Sequence, residues 1–271
     1  MRPHPWNAGF EWQDHHGPFT TITAEQAEAF DRDGFFVMED VLTPDEVART
    51  LEEIDPLEAQ VEDFLKTQED GRAAIAETGA ITFTTHLVKQ SPWLRELAAS
   101  PVFAGIATDL LGPDVRLYWD QAVYKKPEKP RRFPWHQDNG YTYVDPQQYL
   151  TCWVALTDAT EQNGCPQVAR GLHRDGTLSH RYVVPLGFEC FDDPDDVAVA
   201  PVRAGGVVVF SSLTPHLTGP NTTDAVRKAY ILQYAPDGAA IQVGDPKAGP
   251  PTSTTACDDP DRQFLVAGGA S

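Results

Sequence analysis

The pattern of apolar and polar positions changes character at Arg116: helix signals dominate before it, and short β-rich runs between turn clusters follow it. Residues 1–20, rich in aromatic residues, Pro and His, show no period and read as an arm on the surface. Thr23 with Glu25 and Gln26 has the chemistry of a helix start, and a helix from Ala24 to Arg32 is stopped by Gly34. Phe35-Phe36-Val37-Met38 then makes a short strand. Thr43-Pro44-Asp45-Glu46 opens a second helix with a capping hydroxyl, Pro in the first helical position and acids at the positive end of the dipole. This helix is expected to run to about Glu53, where Pro56 interrupts it, with a second piece from Leu57 to Thr67. Residues 92–111 are helical up to Gly112.

The β-rich runs are Arg116 to Lys125, Leu150 to Thr157, Gln167 to Ala169, Arg181 to Val184, Gly206 to Phe210 and Arg227 to Tyr234. Short strands with regular turn signals predict a barrel or jelly roll, mainly β, with the helices packed against one face. Residues 237–271, rich in Pro, Gly, Asp and Thr, read as a loose tail. With no repeat and no linker, the expectation is one domain over residues 1–271: the arm 1–20, a mainly helical flank 21–115, a β core 116–236 and the tail 237–271.

Apolar residues make up 41% of the 271, enough for a sizeable core, and the formal charge is 21 − 40 = −19. That sign argues against binding nucleic acid or anionic membranes, since the field repels polyanions. Cys152, Cys165, Cys190 and Cys257 stand apart with no CxxC pair, and they do not read as a zinc site or a disulfide framework. The first six residues lack the apolar stretch of a signal peptide, and no run approaches the ~18 apolar residues of a membrane span. A soluble, cytoplasmic protein is expected.

Candidate chemistry centres on Phe133-Pro134-Trp135-His136-Gln137-Asp138. On a strand, His136 and Asp138 would share a face. With a distant second imidazole they are the ingredients of the two-histidine-one-carboxylate site of non-heme Fe(II) oxygenases, whose open positions take exchangeable ligands. A His-x-Asp pair alone is a weak signal. Of the eight histidines, His4, His15 and His16 lie in the arm, and His86, His173 and His180 read as surface or substrate-side residues. His216 fits better, standing across a short connector from the buried-type strand Gly205 to Phe210. Arg227, after the turn Gly219-Pro220-Asn221, opens a further strand. Pointing inward it would be a costly unpaired charge unless an anionic ligand met it, and its fork suits a carboxylate. Pointing outward it would pair with Asp224; spacing alone leaves the two readings level.

Six pieces in register decide between them: Asp33-Gly34-Phe35-Phe36-Val37, Trp135-His136-Gln137-Asp138, Asn163-Gly164-Cys165-Pro166-Gln167-Val168, Gly171-Leu172-His173, Gly205-Gly206-Val207-Val208-Val209-Phe210, and His216 to Asn221 with Arg227. Together, over roughly residues 25–236, they resemble the phytanoyl-CoA dioxygenase-like family of Fe(II)- and 2-oxoglutarate-dependent oxygenases. The resemblance implies a double-stranded β-helix fold, a jelly roll of the cupin type. It implies iron held by His136, Asp138 and His216, oxygen as the second co-substrate, and Arg227 clamping the distal carboxylate of 2-oxoglutarate beside Thr218. Trp153, Phe133 and Gln121 would line that pocket, Trp153 being as well suited to a core position. Leu172 and Arg170 depart from the family pattern on the expected rim, which puts inherited substrate specificity in doubt. Because Asp138 is present, the halide position of related halogenases does not open, and hydroxylation of a small-molecule C–H bond is favoured.

Asn139, Tyr141 and Tyr143 would form a lid or substrate wall, with Arg170 and His173 on the substrate side. The run Lys125 to Arg132 concentrates basic residues before the metal motif; it reads either as a solvated loop or as a patch steering an anionic substrate or co-substrate, with Lys125 or Lys126 reaching inward. Two rival functions stand beside the main one. A cupin-like metalloenzyme without 2-oxoglutarate would use a third histidine or a glutamate, and none lies near His136. A non-catalytic jelly-roll binding protein would be expected to have lost a ligand, and all are present.

Overall fold

The computed structural model describes residues 1–269. The N-terminal part follows its caps. Thr23 makes the capping box with Gln26 that starts Ala24–Asp33 (α1), and Gly34, at φ 86°, ends it. Phe35–Met38 (β1) follows directly. Thr43 caps Pro44–Thr67 (α2), which runs unbroken through Pro56. The expected interruption is absent because Pro56 lies on the exposed side, where water can serve the Glu52 carbonyl that lost its donor, while Ile54 and Leu65 bury the opposite side. Arg72–Ala73 (β2), Ala76–Glu77 (β3) and Ile81–Thr85 (β4) come next, so the flank carries short strands besides its helices. The stretch 92–111 is two helices, Pro92–Ala98 (α3) and Pro101–Leu111 (α4). Pro101 disfavours helical backbone at Ser100 and restarts the chain as a new first turn.

The β-rich part comprises Val115–Lys125 (β5), Val144–Asp145 (β6), Leu150–Ala155 (β7), Pro166–Ala169 (β8), Arg181–Val183 (β9), Gly187–Glu189 (β10), Val197–Val199 (β11), Val207–Ser211 (β12), His216–Thr218 (β13) and Arg227–Pro236 (β14). Three more strands, Ala240–Val243 (β15), Ser253–Ala256 (β16) and Leu265–Ala267 (β17), lie in what composition marked as a loose tail. The tail pairs back instead: β15 bonds β16 and β6, and β17 bonds β5. Residues 270 and 271 of that tail lie outside the described residues.

The main sheet runs β1-β12-β7-β14-β5-β4-β3-β2, antiparallel at each pairing, and a smaller sheet runs β11-β8-β13. These two sheets are the jelly roll. Strand parity divides the interior into two cores. Val207, Val209, Cys152, Val154, Tyr230 and Leu232 face the helices. Val208, Phe210, Trp153, Ala155, Ala229 and Ile231 face the space between the sheets. Being covered on both faces, these strands are apolar at nearly every position, as in parallel sheets, although they are antiparallel.

The arm is not merely on the surface. Trp12 is buried and meets His173 edge-on at 4.4 Å, and the His15 ring bonds Asp31 at 2.6 Å. No helix among the described residues is long and apolar enough to cross a membrane.

Candidate metal centre

His136 and His216 are brought together by a single antiparallel bridge, each donating its N–H to the other's carbonyl at 3.0 and 2.8 Å. The pair sits where the chain between β5 and β6 meets the start of β13. Asp138 lies in a short 3-10 turn, not on a strand, so the His-x-Asp pair is not the strand-face pair expected. The carboxylate still reaches the same point. Its Oδ1 is 3.8 Å from Nε2 of both histidines, and the three donors form a group that could hold a metal ion.

The ring nitrogens that face away from this point have partners. His136 Nδ1 lies 2.8 Å from the Pro134 carbonyl and His216 Nδ1 3.0 Å from that of Thr214. A carbonyl can only accept, so each Nδ1 carries the proton and each Nε2 turns its lone pair inward. Burial, reinforced by the neighbouring His216, pushes His136 well below the usual imidazole range, which keeps it neutral and fit to ligate. Thr151 donates to Asp138 Oδ2 at 2.5 Å and accepts from Gln233 Nε2 at 3.2 Å, which fixes the carboxylate's rotation. Gln137, between the ligands, staples the loop: its amide donates to the carbonyls of Gly176 and Leu213 and accepts from Leu178 N–H.

Arg227 opens β14 with the parity of Ala229, Ile231 and Gln233, so it points between the sheets. It is 1% exposed, and none of its three guanidinium nitrogens has a hydrogen-bond partner among the described residues. It does not pair with Asp224. Burial pulls it down to about 9, and its guanidinium lies 5.0 Å from the Trp153 ring centre. A chamber of about 60 Å³ joins Arg227, Trp153 and Thr218 to the metal triad. Phe133 and Gln121 line this chamber too, and with His136 and Asp138 they also line a second cavity of about 240 Å³.

Several expected site residues fall elsewhere. Asn139 turns away from both cavities, bonding Thr177 Oγ1 at 2.7 Å and Val144 N–H at 2.8 Å, and so shapes the turn. Tyr143 packs on Trp6 and donates to its carbonyl at 3.0 Å, leaving Tyr141 alone of the three in the cavity wall. Arg170 is exposed and paired with Asp196 at 2.9 Å. His173 is buried under Gly34, where an added Cβ would come within 2.7 Å of its Nδ1. That contact is what the glycine of Asp33-Gly34-Phe35 accommodates, besides the helix end. Lys125 is buried with its ammonium on the carbonyls of Thr218, Arg131 and Gly219, and Lys126 pairs with Glu58 at 2.8 Å, so neither reaches the chamber freely.

Thr151, Gln233, Tyr118, Trp119 and Tyr149 belong to the site and were not singled out in the sequence. Parity could have found Thr151, two residues from Trp153, and Gln233, six from Arg227.

A family model described as phytanoyl-CoA dioxygenase (PhyH) matches residues 30–229. The ectoine dioxygenase of Sphingopyxis alaskensis is 29% identical over 234 residues, covering 79% of this chain and 76% of that protein. EvdO2 from Micromonospora carbonacea var. aurantiaca, solved with 2-oxoglutarate, superposes with a TM-score of 0.65 at 29% identity over 85% of this chain and 97% of that one. The epimerase SnoN, solved with Fe3+, alpha ketoglutarate and nogalamycin RO, gives 0.67 at 25% identity over 89% and 97%.

Proposed function

Because this chain belongs to the phytanoyl-CoA dioxygenase family, we propose that it is an Fe(II)- and 2-oxoglutarate-dependent dioxygenase. It hydroxylates an unactivated C–H bond of a small-molecule metabolite, with succinate and carbon dioxide as the co-products. We assign iron to His136, Asp138 and His216, a donor set of neutral nitrogen and carboxylate oxygen on one side that suits a facial site with open positions. Held there with the keto acid, iron would supply the activation of oxygen, chemistry that no protein side chain supplies.

The observation that carries the reading is the orphaned guanidinium of Arg227, buried beside the triad with no protein anion against it. A charge left this way is strongly unfavourable, and a dicarboxylate whose distal end enters the chamber removes the cost. Arg227 then holds the distal carboxylate bidentately, with the Thr218 hydroxyl beside it. Trp153, Phe210 and Ile231 wall the chamber and keep water from it. Thr151 holds Asp138 in one rotamer, and the Pro134 and Thr214 carbonyls hold both imidazoles in the ligating tautomer. The protein's share of the chemistry is position, tautomer and dryness.

An anionic substrate draws little support from the surroundings. Arg72, Lys129 and Arg131 converge on Glu77, and Arg132 and Arg181 on Glu189, and none of the five lines either cavity. Anaerobic addition of Fe(II) and 2-oxoglutarate should give the visible charge-transfer band of a chelated keto acid. A folded protein that binds both and shows no such band would sink the assignment.

A further inference from the structure

The larger cavity beside the triad, about 240 Å³, has the room of roughly eight water molecules and falls below the ~300–1,000 Å³ of drug-sized sites. Its wall is mostly rings: Phe83, Phe133, Tyr118, Trp119, Tyr141 and Tyr149. No lysine or arginine lines it, and its one carboxylate, Asp138, belongs to the metal triad. The free cation of the site, Arg227, opens on the smaller chamber and does not line this one. Polar capacity remains in uncharged groups. Trp119 Nε1 donates to Gln121 Oε1 at 3.2 Å, which leaves the amide N–H groups of Gln121, a residue of this wall and of the smaller chamber's, to donate, and the Tyr149 hydroxyl lies in the same wall.

We propose that the substrate is an uncharged, ring-bearing small molecule, alicyclic or aromatic, with a hydroxyl or carbonyl oxygen directed at Gln121. This rests on the dioxygenase reading above. A carboxylate or phosphate in this wall would lose its hydration and find no side-chain cation, the charge of the iron being already met by Asp138 and the keto acid, and an ammonium would find no carboxylate that the metal does not already use. Flat or puckered rings instead gain contact with several aromatic faces at once. Ile75 closes one side, its carbonyl held by Arg131 at 2.6 Å, so the wall stands before any ligand arrives.

The test loads the enzyme anaerobically with Fe(II) and 2-oxoglutarate and titrates it with cyclohexylmethanol, cyclohexanecarboxylate and cyclohexylmethylammonium, three probes of one skeleton. The charge-transfer band reports on the metal's surroundings. Tryptophan fluorescence, read against Trp119→Phe, reports on the cavity wall. The alcohol should saturate both signals with a dissociation constant at least about tenfold below that of either ion. In Thr142→Arg, which places a cation in the wall, the carboxylate should overtake the alcohol. An ion binding the unmodified enzyme as tightly as the alcohol overturns the proposal, and so does silence from all three probes. If the band never forms, the dioxygenase reading fails, and the fluorescence titration still decides the substrate class.

Discussion

Arg227 shows how far one residue can depart from what stability alone would choose. Its guanidinium is buried and unpartnered, so Arg227→Met should raise the thermal midpoint of the ligand-free protein, since a well-packed apolar chain replaces an uncompensated charge. The same change should raise the 2-oxoglutarate concentration needed for the charge-transfer band by about a hundredfold or more, with Fe(II) binding nearly intact. A variant that lost stability and kept its keto-acid affinity would remove Arg227 from the clamp. Asp120 presents the opposite case, a buried carboxyl on the helix-facing side of β5 that accepts from Val88 N–H at 3.1 Å and the Tyr230 hydroxyl at 3.0 Å. Burial raises it to about 6 from an ordinary 3.8. The folded state therefore holds this proton more tightly than the unfolded chain, so the stability it contributes is complete below about pH 4 and is lost as pH rises through about 6. Asp120→Asn, neutral at every pH, should flatten that part of the stability profile and gain on the order of 1–3 kcal/mol at pH 8, measured by urea unfolding across pH.

Among the elements, α2 is the one whose continuity needed tertiary contacts. Its capping box at Thr43 and its amphipathic spacing are legible in the chain, and Pro56 argues locally for a break. Packing of Ile54 and Leu65, with buried Glu58 bonded to Thr82 at 2.7 Å and Lys126 at 2.8 Å, holds both halves on one axis. Pro56→Ala restores a donor to the Glu52 carbonyl in an exposed helix interior. It should raise stability by about 1–2 kcal/mol, the gain being trimmed by the freer unfolded chain. An unchanged denaturation midpoint would mean that the helix already accommodates the ring without strain. The β elements were easier to place, because runs apolar at every position, such as Val207 to Phe210, have no other stable home than a strand covered on both faces. The strands β2 to β4 and β15 to β17 were missed for the complementary reason. Apart from β4, which is mostly buried and whose Ile81 to Thr85 run was legible, they are short or little buried, and only their pairing partners make them strands.

For the molecule as a whole, the N-terminal arm and β17 are structural parts of the fold. Trp12 joins the helix-side core, His4 N–H donates to the Thr177 carbonyl at 2.8 Å, and β17 extends the pairing of β5. Deleting residues 1–20 should lower the thermal midpoint by several degrees, since it uncovers Phe30 and His173, and should leave the keto-acid band in place. A midpoint unmoved by the deletion would return the arm to the surface role its composition suggested. The net charge of −19 belongs to this scale too, and it describes the exterior. The wall of the larger cavity is uncharged apart from the metal carboxylate, so global charge and local chemistry point to different molecules.

Residue type and order alone marked the groups able to carry the chemistry: His136, Asp138 and His216 as a donor set that could hold a metal, Arg227 as a fork that suits an anion, and the buried strands that frame them. Each of these is legible in residue type and order, because imidazole, carboxylate and guanidinium groups come from few residue types. Tertiary structure decided what depends on direction and on partners far away in the chain. It turned Arg227 inward by the parity of β14, and it sent Asn139, Tyr143, Arg170 and His173 away from the cavity to bond Thr177, Trp6, Asp196 and Asp31. A polar residue near a motif has the same composition whether it faces a ligand or a neighbouring loop. Only the packed fold chooses between them.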